Sequence, residues 1–380
     1  MRLEEFLDKK SLYYDKIDYD IIKFSWGIVK EHIKLPFIIH IIGTNGKGST
    51  GRLLASFLNQ NGKKVLHYSS PHILKFNERI WINGFDSSDL QLNKAHEELQ
   101  NILPKKYLEK LTYFEYTTLL GLLLSSGMDY LVLEAGLGGE FDATNVVKND
   151  LTILTAVGLD HQSFLGDTIK DITLTKVRSC DNTLIVTEQS NSEVYEILDN
   201  EFKDKIKIIR VDQHGIELPC SFAQDLPGFL RSNLKTVVYT LHYLQEDAEK
   251  DFILPKLNGR YEKITSNITL DVGHNPLAAN ALAGQLKKDN KKIVLIYNSF
   301  KDKDYNGVLA ILKPYIEKVL IISCEDQRIL EKEQLTNSLE KLGMAYSDFE
   351  VSKMDKQKDY LVFGSFSVAE SFLKETGFEK

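Results

Sequence analysis

The sequence predicts an α/β fold with two domains, each a mostly parallel sheet with flanking helices. Three observations support this prediction. An apolar run at 37–42 leads into a glycine-rich turn and then a helical pattern. Apolar, β-rich runs alternate with helical patterns over most of the 380 residues. After a charged segment at 247–257, a second and shorter alternation begins. Such alternation is typical of parallel strands joined by crossover helices.

The individual elements follow from the spacing of apolar residues. After the glycine turn, apolar residues recur on one helical face until Asn61 and Gly62 end the helix. A further helix is predicted at 117–124. Strands are predicted in the first domain at 37–42, 64–68, 130–133, 151–157 and 183–187, and in the second, smaller domain at 268–272, 292–297, 318–322 and 360–363.

The composition limits the classes of function. Hydrophobic residues make up 43% and charged residues 27%, as in ordinary globular proteins. A net charge of −7 argues against nucleic acid or an anionic membrane as the main partner. The sequence shows no secretory signal and no apolar stretch of the ~20 residues that cross a bilayer. Its three cysteines are far apart, which favours reduced thiols. We therefore expect a cytoplasmic protein.

The segment 43–50 reads GTNGKGST and predicts a phosphate-binding loop. Its glycines let backbone N–H groups face an anion, and the following helix N-terminus adds partial positive charge. Lys47 can reach terminal phosphates, and Ser49 can face a bound Mg²⁺. The strict Walker spacing is not met, because Ile41 stands where the first glycine belongs and Gly48 follows the lysine. We expect ATP and Mg²⁺; the alternative is a simple glycine turn with its lysine in solvent.

Polar side chains follow two other predicted strands. Glu134 comes directly after 130–133, and His161 follows 151–157. Groups at the carboxyl ends of parallel strands face the crevice where ligands bind. Mg²⁺ prefers carboxylates, phosphate oxygens and water, so Glu134 is a candidate ligand. The alternatives are a loop carboxylate and a structural histidine. Lys176, on a predicted helix, is either a site residue or a surface lysine.

Together with the loop, eight further motifs in the same order carry a resemblance to a known family. The chain resembles the folylpolyglutamate synthase and dihydrofolate synthase family, a branch of the Mur ligase superfamily. The motifs are SSPHILKFNERIWING at 69–84, TYFEYTTL at 112–119, LEAGLGGEFDATNV at 133–146, GLDHQSFLGDT at 158–168, NGRYE at 258–262, LDVGHNPLAANAL at 270–282, SFKDKD at 299–304 and FGSFSVAE at 363–370.

The resemblance implies an ATP-dependent amide ligase that joins L-glutamate to dihydropteroate and to reduced folates. A carboxylate is a poor acyl donor, and phosphorylation by ATP supplies a good leaving group before the amine attacks. Lys47 and Mg²⁺ would neutralise charge during phosphoryl transfer. The resemblance also implies a P-loop-type ATP-binding domain with the folate-precursor site at 1–257. A Rossmann-like glutamate ligase domain is expected at 258–380.

The resemblance assigns roles residue by residue. The expected ATP contacts are Gly46, Lys47, Gly48, Ser49, Asn233, Arg260 and Asp271. Two Mg²⁺ sites are expected, held by Ser70, Glu134, His161 and a carbamylated Lys176. The expected catalytic residues are Lys47, His161, Lys176, Arg260 and His274. The expected pterin contacts are Thr112, Phe114, Asp142 and Ala143, where the phenyl ring could stack and the carboxylate could pair with ring N–H groups. For Phe114 and Asp142 the alternatives are a core aromatic and a turn residue.

Several positions depart from the family pattern. Glu140 stands where arginine is common, and Thr175-Lys176-Val177-Arg178 replaces Glu-Lys-Ala-Gly. Asn258 replaces a proline, and Val272-Gly273 replaces Gly-Ala. We interpret the chain as a divergent member with the same chemistry.

Three alternatives remain open. The enzyme could be a mono-functional folylpolyglutamate synthase, or another Mur-type ligase that acts on a cell-wall nucleotide peptide. A nucleotide-binding switch without a ligase step is the third. The resemblance also suggests a monomer with small-molecule substrates only. Because Arg260 follows the linker, we expect ATP to change the hinge between the domains.

Overall fold

The computed structural model describes residues 1–10 and 19–378. It divides into two compact units, Met1–Leu226 with Leu230–Pro255, and Pro227–Phe229 with Lys256–Lys380. The strands are β1 Phe37–Ile42, β2 Val65–Tyr68, β3 Ile80–Ile82, β4 Phe85–Asp86, β5 Tyr130–Glu134, β6 Leu151–Leu154, β7 Thr183–Val186, β8 Lys207–Arg210, β9 Glu262–Thr265, β10 Ile268–Leu270, β11 Ile293–Tyr297, β12 Ile316–Ile321, β13 Tyr346–Asp348 and β14 Tyr360–Phe363.

The α-helices of the described residues alternate with these strands. They are α1 Leu3–Leu7, α2 Tyr19–Val29, α3 Lys47–Gln60, α4 Asp89–Ile102, α5 Lys105–Lys110, α6 Tyr113–Leu124, α7 Gln162–Leu165, α8 Ile169–Val177, α9 Glu193–Glu201, α10 Gly228–Tyr243, α11 Pro276–Asp289, α12 Tyr305–Leu312, α13 Lys332–Lys341 and α14 Phe366–Thr376. Within the described ranges, none of these helices is long and apolar enough to cross a membrane.

The sheet of the first unit has eight strands in the order β4-β3-β2-β5-β1-β6-β7-β8. From β2 to β8 all neighbours are parallel, and the short β3 and β4 extend the edge as antiparallel strands. Strand β1 is central because it reads FIIHII and is buried along almost its whole length. Runs of this kind are typical of parallel strands covered on both faces.

Two apolar clusters cover this sheet. One joins β2 and β5 to α2, α4 and α6, through buried residues such as Leu66, Leu131 and Tyr116. The other joins β6 and β7 to α8 and α9, through residues such as Leu154 and Leu198. The carboxyl ends of β5, β1 and β6 are therefore held side by side over a packed core, and the candidate site lies at this edge.

The second unit has six strands in the order β13-β12-β11-β14-β10-β9, all parallel except the β9–β10 pair. Its own core packs α11, α12 and α13 on the sheet, with Leu282, Leu309 and Leu339 buried. The predicted fold class, a mostly parallel sheet with flanking helices followed by a smaller α/β domain, is confirmed.

Several predicted boundaries are wrong. The strand expected at 151–157 ends at Leu154, because the Ala156 carbonyl accepts two N–H groups of the glycine loop instead of continuing the ladder. The helix expected at 117–124 begins four residues earlier, at Tyr113. Five short strands were not predicted: β3, β4, β8, β9 and β13.

Candidate active site

The glycine loop begins where β1 leaves the centre of the sheet. Because β1 pairs with both β5 and β6, the chain after Ile42 emerges between two other strand ends. The turn at Gly43 has a φ of 144°, and a Cβ there would lie 1.9 Å from Thr155 Oγ1. Only glycine fits this conformation and this close approach. The sheet edge therefore fixes where the loop starts.

The loop is bound to the segment that follows β6. The N–H groups of Thr44 and Asn45 donate to the Ala156 carbonyl at 2.8 and 3.1 Å, and the Thr44 hydroxyl donates to the Gly158 carbonyl at 3.0 Å. Helix α3 then begins at Lys47 without a side-chain cap and without an acidic residue in its first turn. An uncapped N-terminus of a 14-residue helix suits an anion such as phosphate.

Two lysines share one carbonyl group of this loop. Lys47 Nζ donates to Gly43 O at 3.0 Å and to Thr44 O at 3.3 Å. Lys176 Nζ, from α8, donates to Gly43 O at 2.9 Å and is only 3% exposed. Burial, with a smaller effect of the Lys47 charge, lowers the pKa of Lys176 to about 7. Lys176 is thus a buried amine close to half-protonated at neutral pH, beside a lysine suited to phosphate.

Helix α10 reaches the same loop through Asn233. Its Nδ2 donates to Ser49 Oγ at 2.9 Å, and the Ser49 hydroxyl donates to Gly46 O at 3.0 Å. Both side chains are buried. Asn233, expected at the nucleotide, therefore lies at the phosphate loop and orients the Ser49 hydroxyl group.

Oxygen ligands for a divalent cation lie at the same sheet edge. Glu134 is the last residue of β5, pairs with Ile41 across the sheet and is 3% exposed. Ser70 follows β2, the neighbour of β5. Carboxylate and hydroxyl oxygens suit Mg²⁺, so this donor set is compatible with the expected metal. His161 precedes α7 in a left-handed conformation with an exposed side chain, and its Nε2 lies 3.9 Å from Asp160 Oδ1.

Thr112 has a structural role at the start of α6. Its hydroxyl accepts from the N–H of Glu115, and its own N–H and O–H donate to Glu115 Oε2 at 2.9 and 3.0 Å. This reciprocal capping box satisfies the first turn of the helix that carries Phe114. Thr112, predicted from the sequence only as a pterin contact, therefore also caps helix α6.

Phe114 and Asp142 come together around Gly136. A Cβ at Gly136 would lie 2.6 Å from the Phe114 ring and 3.2 Å from Asp142 Oδ2. The Asp142 carboxylate accepts from Leu137 N at 2.7 Å and from Thr144 N and Oγ1 at 3.0 and 2.5 Å. Burial raises the pKa of Asp142, while these donors counteract that effect. An aromatic ring and a carboxylate therefore both lie close to Gly136.

Ala143 follows Asp142 and is buried, at the start of a short 3₁₀ helix. Thr144, the next residue, was missed by the sequence analysis although it lies inside the recognised motif at 133–146. A partial signal was available, since an aspartate side chain commonly accepts from the backbone N–H two residues further on, which here belongs to Thr144.

In the second unit, Asp271 organises the chain around Arg260. Its carboxylate accepts from Tyr261 N at 2.9 Å and from Gly273 N at 2.8 Å, and burial raises its pKa. The Arg260 guanidinium lies 5.0 Å from the centre of the Phe366 ring. His274 Nδ1 lies 3.1 Å from the Val272 carbonyl oxygen. Asp271 therefore holds the backbone beside Arg260, in addition to the nucleotide contact expected of it.

Two departures from the family pattern form an ion pair. Arg178 Nη1 lies 3.1 Å from Glu140 Oε2, and Glu140 N donates to the Thr175 carbonyl at 2.8 Å. The segment after β5 is thereby bound to helix α8, which carries Lys176. The exchanged residues, glutamate for arginine and arginine for glycine, are explained together by this pairing.

The sequence matches no protein-family model, but the chain is similar to known proteins over most of its length. Dihydrofolate synthase/folylpolyglutamate synthase of Haemophilus influenzae is 30% identical over 399 residues, covering 89% of this chain and 88% of that protein. The Helicobacter pylori folylpolyglutamate synthetase crystal structure is 36% identical with a TM-score of 0.79, covering 99% of this chain and 98% of that chain.

Escherichia coli FolC in complex with DHPP and ADP is 26% identical with a TM-score of 0.81, covering 97% of this chain and 95% of that chain. The predicted ATP-dependent ligase class is confirmed by these similarities. The chain belongs to the dihydrofolate synthase/folylpolyglutamate synthase family.

Proposed function

We propose that the protein uses ATP to join L-glutamate both to dihydropteroate and to reduced folates. One observation carries this proposal. Glu134 ends β5 at the carboxyl edge of the first unit's sheet, and the α3 N-terminus and the segment containing Asp142 come shortly after the strand ends at that same edge. A phosphate group and a pterin substrate would then bind within the same unit. Family membership supports the choice of substrates.

The proposed reaction has two steps, phosphorylation of a carboxylate and attack by an amine. A carboxylate oxygen of the folate precursor forms a bond to the γ-phosphorus of ATP, the bond to the bridging oxygen breaks, and ADP leaves. The glutamate amine then forms a bond to the acyl carbon, phosphate leaves with the electron pair, and the amine loses a proton. The protein lowers the barrier by orienting the reactants and neutralising the charge that moves.

We assign the triphosphate to Gly46, Lys47, Gly48 and Ser49, with Asn233 orienting the serine hydroxyl. Lys47 would leave the carbonyls of its own loop and donate to the terminal phosphates. Ser70, Glu134 and His161 are the proposed ligands of two Mg²⁺ ions. Bound Mg²⁺ would neutralise triphosphate charge.

We assign a carbamate to Lys176. Its deprotonated amine would form an N–C bond to carbon dioxide and lose a proton, so that a buried cation becomes an anionic metal ligand. The low pKa caused by burial supplies the free amine, and the family resemblance supports the assignment. Incubation with ¹³C-bicarbonate should give a carbamate signal in the ¹³C spectrum that is missing from K176M.

The remaining assignments concern the pterin and the second unit. Phe114 would stack on the pterin ring, Asp142 would accept its amino and ring N–H groups, and Thr112 and Ala143 would line the same site. Arg260, Asp271 and His274 are the proposed ATP contacts of the second unit, with glutamate ligation as its role. We divide the chain into domains at 1–257 and 258–380 and propose a cytoplasmic monomer without nucleic-acid or membrane partners.

Phosphate release with different acceptors tests the proposed function. Purified protein with ATP, Mg²⁺ and L-glutamate should release phosphate when either dihydropteroate or a reduced folate is added. Phosphate release with the reduced folate but not with dihydropteroate would indicate a mono-functional folylpolyglutamate synthase. Release driven only by a UDP-linked peptide would indicate another Mur-type ligase, and acceptor-independent hydrolysis would indicate a nucleotide switch.

A further inference from the structure

His40 lies in the middle of the central strand β1 and is 1% exposed. Its neighbours in the sheet are Leu133 and Thr152. Its Nε2 lies 2.9 Å from Thr144 Oγ1, across 104 residues of sequence. A histidine within an otherwise apolar strand is costly to bury, so this contact is a feature that packing alone does not require.

The protons of this contact can be assigned. Asp142 Oδ1 accepts from Thr144 Oγ1 at 2.5 Å and from Thr144 N at 3.0 Å, as expected of an ionised carboxylate, which only accepts hydrogen bonds. The single Thr144 hydroxyl proton therefore points to Asp142, and Thr144 Oγ1 must accept from His40. His40 is thus the tautomer with the proton on Nε2. Its Nδ1 has no hydrogen-bond partner among the described residues, and burial lowers the pKa of His40 to about 4, so the ring is neutral.

We propose that His40 is a positioning residue for the pterin substrate: by donating to Thr144 it directs the threonine hydroxyl proton onto Asp142. This inference rests on the proposed function, in which Asp142 accepts from the pterin. In the opposite tautomer, Thr144 would donate to the histidine and Asp142 would lose one of its three donors. His40 itself does not contact substrate; it acts through Thr144.

A matched pair of variants separates this role from core packing. His40→Gln retains an amide N–H at about the reach of Nε2, whereas His40→Asn is one methylene shorter and cannot reach Thr144. We expect H40N to raise the KM for dihydropteroate roughly three- to tenfold, because the Thr144 hydroxyl loses the donor that holds it in place against Asp142. The KM for ATP should stay within about twofold in the same variant. H40Q should stay close to the wild type in both.

A Thr144 variant tests whether His40 acts on Asp142 through Thr144. Thr144→Val removes the hydroxyl with little change of shape, so adding H40N to T144V should have no further effect on the KM for dihydropteroate. Equal behaviour of H40N and H40Q, or a matching rise of the KM for ATP, overturns the inference. So does additivity in the double variant.

The wild-type protein supplies an independent measurement. The ¹⁵N shifts of the His40 ring should show the Nε2–H tautomer, and an Nδ1–H tautomer overturns the inference even if the variants do not fold. Wild-type protein that releases no phosphate with dihydropteroate overturns the proposed function together with the inference. A bifunctional wild type with an unresponsive H40N overturns the inference alone.

Discussion

The phosphate side and the pterin side of the candidate site are built in different ways. The phosphate loop and the α3 N-terminus come from one short stretch, 43–50, in which the helix begins without a side-chain cap. The proposed pterin side combines Phe114 from α6 and His40 from β1 with Asp142 and Thr144, which lie at the start of one short 3₁₀ helix after β5, and these three parts of the chain meet only in the folded protein. In the proposed assignment, phosphate binding thus depends on a local motif, whereas pterin recognition depends on the tertiary structure.

The two lysines at the Gly43 carbonyl show the same contrast on a smaller scale. Lys47 belongs to the loop and remains partly exposed, while Lys176 reaches the carbonyl from α8 and is buried. Burial lowers the pKa of Lys176 and so favours its uncharged amine. In the proposed assignment, Lys47 binds phosphate and Lys176 reacts at its nitrogen to form the carbamate.

Replacement of Lys47 gives the largest expected effect. Lys47→Met should lower kcat for phosphate release about a thousandfold with either acceptor, because a preorganised cation is lost at the transferring phosphoryl group. The KM for dihydropteroate should change little. The control is K94M, on the exposed face of α4; a K47M enzyme that retains a tenth of wild-type kcat would contradict the assignment.

Replacement of Lys176 comes next. Lys176→Met should lower kcat about a hundredfold without unfolding the protein, because the proposed carbamate ligand of the metal is lost. Its stability effect has a definite pH dependence. The folded-state pKa of about 7 lies below the unfolded value of 10.5, so the unfolded state binds more protons between these values.

In buffer free of carbon dioxide, the wild type should therefore gain stability relative to K176M as the pH rises from 7 toward 10. Below pH 7 the difference between the two proteins should level off. Urea unfolding at a series of pH values measures it. A difference that is constant over this range would mean that Lys176 is not the proton-poor amine described.

Substitution on the pterin side should separate the two substrates. Asp142→Asn should raise the KM for dihydropteroate about thirtyfold, since hydrogen bonds to a charged acceptor are lost. The KM for ATP should stay near the wild-type value. Initial rates at varied concentrations of each substrate provide the measurement, and equal changes in both KM values would remove the distinction between the two sides.

The smallest effect is expected at the Glu140–Arg178 pair. Glu140→Gln should lower the free energy of unfolding by less than about 1 kcal/mol, because the pair is partly exposed to solvent. The double variant E140R/R178G restores the common family residues and should recover the stability that E140R alone loses through like-charge repulsion. Thermal unfolding of the wild type, E140Q, E140R and E140R/R178G tests this coupling.

The sequence predicts local features of this protein better than contacts between distant parts of the chain. The strand β1, the loop and α3 were predictable because they are contiguous and strongly periodic. The short strands β3 and β4 were missed because three or two residues carry no clear period, and β8 because its ends, Lys207 and Arg210, are charged and partly exposed. The role of His40 was hidden because its partner lies 104 residues away.

The central claim is that the phosphate side and the pterin side serve one reaction through an acyl phosphate. Dihydropteroate with ¹⁸O in both carboxylate oxygens tests it directly, with mass spectrometry of the phosphate released during turnover with L-glutamate. The account predicts that one labelled oxygen passes from each carboxylate to phosphate. Amide product accompanied by unlabelled phosphate would contradict it, because the carboxylate would then never have bonded to phosphorus.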